Sequence, residues 1–486
     1  MKNISKIIFL GLIILVIPVV ACYASDVKIF PPPQDAKAAP DYKIKVNGED
    51  VFVYNSSYNP FAIFNFTGKA EVEISTENDL KWVNIRPLRD SVQWKINGNN
   101  ITFTLDHPCN LSIEFNNEKS RALFVFAGDM KEPDTGPGNV IRYAGGKSYN
   151  AGTIELKSND VLVIEGGAIV HGNIKAENAE NIKIIGSGIL DGSVSMTIPP
   201  ARMISLKDCR HVLIDGIVIH NSPTWTIVPT HCYDLVINNV KQVNWKNGSD
   251  GIDLVSTSQV KITGCFLKNN DDCIVIKSFN PEKNYPDSLP NKGMNVKDIT
   301  VDHCTLWNMP WGNALEIGFE LRCDSVSHIT FSNINIIHVE RGAAISIHNG
   351  DFASVTDITY ENINIEDADH KLIDLAIFLS QYSIDKPSSG EDRNSRYMNG
   401  AWDGVLKVYE GESPIYAKNR GYINHILFKN VRVVEGPFPF SILYGFDNTH
   451  IVSNIVFDNL TILNKRIAGP EEGHFFISHA ENITFK

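Results

Sequence analysis

The stretch "NGSDGIDLVSTSQVKITGCFLKNNDDC", Asn247 to Cys273, sets Asp250 21 and 22 positions ahead of the doublet Asp271-Asp272. Within it lies Gln259-Val260-Lys261-Ile262, a polar and apolar alternation that recurs along the chain. Similar segments begin at Asn181, His211, Asp234, Asp298, His328, Asp357, His425, Asn454 and Asn482, so the ten starts are separated by steps of 30, 23, 25, 39, 30, 29, 68, 29 and 28. Short β-rich segments repeating at this period, with almost no helical periodicity, predict a solenoid of stacked coils.

Two residues after the end of eight of these segments stand Gly216, Asn239, Gly264, His303, Asn333, Asn362, Asn430 and Asn459. Most are residue types that tolerate a left-handed turn, so each coil is expected to bend at one shared corner. Coils stacked this way form parallel sheets, and the usual crossover rule makes the solenoid a right-handed parallel β-helix, here over residues 140–486. The step of 39 holds the insertion "NPEKNYPDSLPNKGMN", Asn280 to Asn295. The step of 68 has room for two coils plus the polar stretch "QYSIDKPSSGEDRNSRYMNG", Gln381 to Gly400. Long loops on one face of a solenoid usually shape its groove.

Ahead of the solenoid, residues 26–127 alternate in short runs such as Lys43-Ile44-Lys45-Val46, broken by the hairpin signals Asn47-Gly48 and Asn97-Gly98. This predicts a small antiparallel β-sandwich, joined through the Gly, Pro and Asp-rich linker 128–139. The whole chain is therefore expected to be all-β. At the start, Lys2 and Lys6 precede an apolar run too short to span a bilayer comfortably, which reads as a signal peptide. Its end, Val19-Val20-Ala21-Cys22, resembles a bacterial lipobox with Cys22 as the lipidated residue; cleavage after Ala24 is the alternative. Either way, export is expected, with a periplasmic or outer-membrane location and membrane contact only through the lipid. A formal net charge of -12 offers no basic stripe for phosphates, so nucleic acid is not an expected partner. Seven cysteines remain beyond Cys22 without CxxC spacing, which speaks against a zinc site and suggests buried core residues.

One coil spans 21 to 30 residues here, so Asp250 and the Asp271-Asp272 pair should be neighbours in space. Three clustered carboxylates repel one another and push at least one pKa upward. Turn-forming aspartates explain isolated examples such as Asp253 and Asp298 but not a triplet whose corners are already filled. Calcium binding is a second explanation, since clustered carboxylate oxygens suit that ion. Glycosidic cleavage is the third and the one preferred: a carboxylic acid protonates the leaving oxygen while an ionised carboxylate activates water.

The repeat, together with "SDGID" at Ser249–Asp253 and "NDDCIVIKS" at Asn270–Ser278, resembles the family 28 glycoside hydrolases, the polygalacturonases, over about residues 140–486. The sandwich in front of a β-helix is similar to the arrangement in family 49 dextranases. The resemblance implies a pectin-lyase-like solenoid that hydrolyses a polysaccharide without a cofactor or metal. It makes Asp271 the general acid and Asp250 with Asp272 the holders and activators of water, giving inversion. The sequence departs from the family where Gly312-Asn313-Ala314 replaces a GHG motif and where Ala344 and Ser346 stand for the arginine and lysine that clamp galacturonate. A substrate carboxylate beside three aspartates without a cation is strongly disfavoured, so the sugar at the cleavage point is expected to be neutral. Glu316 would then accept hydrogen bonds from sugar hydroxyls. Asn313, Lys277, His348, Trp225 and Trp311 complete the expected substrate-binding set, with aromatic faces as platforms for sugar rings. A neutral-glycan hydrolase of the dextranase kind, a calcium-dependent polysaccharide lyase on the same fold and a non-catalytic glycan-binding solenoid are the rival readings.

Overall fold

The computed structural model describes residues 25–194, 201–280, 291–380, 382–385 and 416–486. Cys22, the preceding apolar run and most of both long insertions lie outside the described residues. No helix among the described residues is long and apolar enough to cross a membrane.

From Asn139 onward the described residues form a right-handed parallel β-helix of 31 strands. All ten repeated segments pair in sequence order: Ile182, Val212, Leu235, Val260, Ile299, Ile329, Ile358, Ile426, Ile455 and Ile483 form one continuous row. The predicted corner is left-handed at every position named, from Asn239 at φ +49° to Gly216 at φ +84°. Its asparagines also hydrogen-bond from coil to coil, Asn362 to Asn333 at 3.2 Å, Asn430 to Asn362 at 3.0 Å and Asn459 to Asn430 at 2.9 Å. A second left-handed position escaped the sequence reading: the first residue of every repeated segment, from Asn181 to Asn482, has φ between +53° and +59°. Asn, Asp, His and Gln fill it, three of them types that tolerate this region. Inside the coils Phe331, Tyr360, Phe428, Phe457 and Phe485 stack face to face at 4.7–5.0 Å, the spacing of neighbouring strands.

The step of 68 is one coil and not two. Ile358 pairs directly with Ile426, so the two segments lie in neighbouring coils, with the strand Lys371–Ile377 in the turn between them. Chain length alone could not separate two short coils from one coil with a large loop. The seven described cysteines after Cys22 are unpaired, and six of them are buried.

The N-terminal unit is a sandwich of a six-stranded and a five-stranded sheet, its strands ending at Asp129. It is not wholly antiparallel, because Phe61–Thr67 and Leu123–Asp129 pair in parallel. The five strands that follow Phe61–Thr67 and precede Leu123–Asp129 with their own sheet partners leave room for a crossover that returns in the same direction. These two strands are buried on both faces. One face fills the sandwich; the other, with Phe61, Phe124 and Phe126, packs on Phe266 and Trp307 of the solenoid, ring centroids 5.1–5.9 Å apart. Near-continuous apolar runs such as "FAIFNF" are the sequence mark of such double burial.

Beside this apolar seam lies a buried ionic one. Arg86 reaches from the sandwich to Glu114 at 3.1 Å and to Glu366 of the solenoid at 2.8 Å, with Glu435 as a third partner. His338 bridges Glu114 at 2.8 Å and Asp367 at 3.0 Å. Removing the guanidinium strands buried carboxylates, so Arg86→Leu is expected to lower the unfolding free energy by about 3–5 kcal/mol in urea titrations. A loss below about 1 kcal/mol would show that the seam does not depend on this pair.

Candidate active site

Three hydrogen bonds between coils decide where the aspartates stand. Thr226 N donates to Asp250 O at 2.9 Å, Gly251 N to Asp272 O at 2.8 Å and Cys273 N to Asn313 O at 3.0 Å. Trp225, Asp250, Asp272 and Asn313 thus hold the same place in four successive coils, just ahead of the strands Ile227–Thr230, Ile252–Val255, Ile274–Ser278 and Leu315–Leu321. Pairing of Ile204 with Ile227 extends the row one coil back, to Arg202.

Asp250, Asp271 and Asp272 each bring a carboxylate oxygen to within 4.8 Å of the other two. Asp250 and Asp272 are 2% and 4% exposed, whereas Asp271 is only half-buried and is the member open to solvent. The Asn313 backbone N–H donates to Asp272 Oδ1 at 2.7 Å. Asn308 Nδ2 ties the carbonyls of Asp271 and Trp311 together at 2.9 and 2.8 Å, which sets Trp311, 37% exposed, beside the acidic cluster. A Cβ on Gly312, at φ +64°, would fall 2.3 Å from the Asp272 nitrogen and 2.5 Å from Asp271 Oδ1. Only glycine lets the chain pass so close.

A second row of charge runs along the strands themselves. Register places Asp253, Val275, Glu316, Ser346 and Asp374 side by side on the outward face of the sheet, with Lys277 and His348 two positions further on. Lys277 Nζ contacts Asp253 at 3.0 Å and Asp250 at 3.4 Å. His348 lies between Glu316 at 2.9 Å and Asp374 at 3.2 Å, and Lys371 is a further partner of Asp374. Carboxylates and cations therefore alternate along this row, and Asp253, Lys277, Glu316, His348, Lys371 and Asp374 are each at most 5% exposed.

This changes the expected role of several residues. Glu316 points outward as alternation requires, yet it is fully buried and accepts hydrogen bonds from Asn313 Nδ2 at 2.9 Å and from Ser346. It braces Asn313, Ser346 and His348 beneath the acidic cluster and is not presented to a sugar. His348 is covered by Phe319, stacked on it at 5.0 Å, with Phe378 and Tyr382 against that ring. Lys277 neutralises aspartates and lies 3.9 Å from the Trp225 ring centroid, so it occupies space over that ring. Asn313 is enclosed at 6% exposure and positions Asp272 and Glu316. Of the expected substrate-binding set, Trp225 and Trp311 keep exposed surface. Asp253, set aside from sequence as a turn residue, is an integral part of the cluster, and Arg202 was not foreseen. The signal for both was the register, since each stands a whole number of coils from a residue already singled out.

Burial raises the pKa values of Asp250 and Asp272 well above the ordinary aspartate range, with Asp253 and Asp271 adding to the first and Asp271 and Glu316 to the second. Burial also raises Asp271 and Asp253. These groups titrate as a unit, so the loss of a proton from one carboxyl raises the cost of losing the next. Lys277 loses charge stability to burial, but Asp253 and Asp250 outweigh that and hold it firmly protonated. Asp250 Oδ1 has no hydrogen-bond partner among the described residues. The arrangement can give a proton from one carboxyl, take one with another and fix a polar group between them.

Comparison with known proteins adds the following. The profile of Glycosyl hydrolases family 28 matches residues 70–389. A probable endopolygalacturonase D of Neosartorya fischeri is 22% identical over 68% of this chain and 64% of its own length. Exopolygalacturonase rpg15 of Rhizopus delemar is 24% identical over 50% of this chain and 60% of its own. The chain thus spans less than two thirds of these relatives. Among solved structures, Dex49A from Penicillium minioluteum superposes with a TM-score of 0.63 at 16% identity, covering 94% of this chain and 96% of that one; sandwich and β-helix are shared.

The buried ion chain predicts a pH dependence. Burial lowers the His348 pKa, but Glu316 and then Asp374 lift it to about 9 from 6.5. A value raised in the folded state contributes stability that is complete below pH 6.5 and lost as pH climbs through 9. Stability should fall over that window by on the order of 3 kcal/mol, and His348→Gln should flatten the slope. Parallel pH profiles of the two proteins would remove His348 from this role.

Proposed function

The chain belongs to glycosyl hydrolase family 28, and from that membership we propose that it hydrolyses O-glycosidic bonds of a pectin-related polysaccharide by an inverting acid and base mechanism. The observation that carries this reading is the meeting of three carboxylates from two successive coils, one open to solvent and two sheltered. Asp271, the open one with a raised pKa, protonates the departing glycosidic oxygen. Asp250 and Asp272 hold a water and take its proton as it attacks the anomeric carbon from the opposite side. Lys277, 3.4 Å from Asp250, is the counter-charge that lets that carboxyl ionise. Asn313 fixes Asp272 through its N–H.

Two features shape the tests. The nearest-oxygen spacing, within 4.8 Å, is shorter than the roughly 6.5–9.5 Å usual between acid and base in inverting enzymes and nearer the retaining range. The anomer of the first product therefore decides: inversion supports the pair of water holders, and retention makes one aspartate a nucleophile. Lys277 and His348 are both engaged by carboxylates, and positions 344 and 346 are a buried alanine and serine. This favours a sugar without a carboxylate at the cleavage point, as in a hydrolase of neutral glycans, so neutral polymers belong in the substrate screen.

Asp271→Asn is expected to cut turnover on pectic substrates by about 10³-fold with the thermal midpoint unchanged. Full turnover in that variant would sink catalysis by the aspartates. The same three carboxylates are also spaced to hold a cation. On the hydrolase reading, chelation leaves activity unchanged; activity that chelator abolishes and calcium restores, with unsaturated products, would assign a lyase instead.

A further inference from the structure

The row that carries Asp250 and Asp272 continues backward through Trp225 to Arg202, two coils from Asp250. With strands about 4.8 Å apart, that is roughly 10 Å along the groove, beyond the acidic cluster but in line with it. The guanidinium lies over Trp225, its central carbon 5.0 Å from the ring centroid. It makes no hydrogen bond or ion pair with any described residue. Two other arginines of the solenoid are held by carboxylates and carbonyls: Arg322 binds Asp351 and the Tyr382 carbonyl, and Arg420 binds Asp385 and the Phe378 carbonyl. Asp250 and Asp253 act on Arg202 electrostatically but lie outside ion-pair distance. Arg202 thus holds five donors in a planar fork, half-buried against an aromatic ring, and such a group matches a carboxylate in two-point contact.

We propose that Arg202, backed by Trp225, forms a subsite that binds the carboxylate of a sugar flanking the cleavage point. The inference rests on the hydrolase reading of the groove and refines it. The acid-rich centre takes a sugar whose carboxylate is absent, esterified or turned to solvent. Charge recognition is displaced to the Arg202 end, where the field of the aspartates is weaker. This reconciles the missing clamp at Ala344 and Ser346 with an anionic polymer as substrate.

The test is equilibrium binding of a galacturonate oligomer and of its fully methyl-esterified counterpart to Asp271→Asn protein, with and without Arg202→Gln. Binding does not require turnover, so it reads the subsite even if the substrate screen fails. Loss of the guanidinium should weaken the acid oligomer by at least about tenfold and the ester by less than about twofold. Arg202→Lys should recover only part of the loss, because an ammonium lacks the fork. Equal weakening of both oligomers would reduce Arg202 to a support for Trp225, and unchanged or absent binding of the acid would overturn the subsite. In the otherwise unaltered protein, Arg202→Gln should raise KM on the acid polymer while leaving kcat within about twofold.

Discussion

Backbone hydrogen bonding between coils is the constraint on which the molecule depends. It repeats every chain position at the strand spacing, so that residues 22 or 41 apart in sequence, Asp250 and Asp272 or Asp272 and Asn313, become lateral neighbours. A polar residue at a given place in one coil has its environment set mainly by what stands at the same place in the coils above and below. Asparagines make a ladder at one corner and phenylalanines a stack in the core for that reason. Aspartates in the same relation repel, and a solenoid can tolerate them only where the adjoining rows supply opposite charge.

That compensation accounts for most of the polar chemistry under the groove. Lys277 serves Asp250 and Asp253, His348 serves Glu316 and Asp374, and Lys371 joins the last. Each ion is buried, so deleting any one leaves its partner without solvent or counter-charge, a far larger penalty than the pair's own net contribution. The cluster is thereby tied to its own buried counter-charges, and its carboxyls titrate together. Positioned carboxyls with raised pKa values, one of them open to solvent, are suited to proton transfer. The same exhaustion of cations near the centre makes Arg202 at the end of the row conspicuous.

Much of this could be read from the sequence because the repeat is local. Ten short segments, most of them followed by Gly or Asn at a fixed offset, specify strands, corner and stacking direction, and the spacing of Asp250 from Asp271 and Asp272 then brings the site together. What the sequence could not supply is cover. Alternation correctly turned Glu316, Lys277 and His348 away from the core, but outward meant accessible only if nothing lay on top, and Phe319, Phe378 and the partner charges do. Arg202 carries no motif and becomes visible only when its coil is laid beside that of Trp225. The 68-residue step was misjudged because a loop leaves no mark in a period count, and the parallel pair in the sandwich because hairpin signals say nothing of distant partners.

The sandwich also imposes an order on biosynthesis. Phe61, Phe124 and Phe126 are made first, while their cover arrives with Phe266, Trp307 and Ile337, the last of them 210 residues after Ala127. At about 5–20 residues per second, the ribosome leaves that aromatic sheet bare for roughly 10–40 s. The N-terminal unit is thus a fragment waiting for its other half, prone to stick to like surfaces until the coils assemble. For cells that overproduce the chain, or for fragments cut near residue 130, that bare aromatic face is the main hazard.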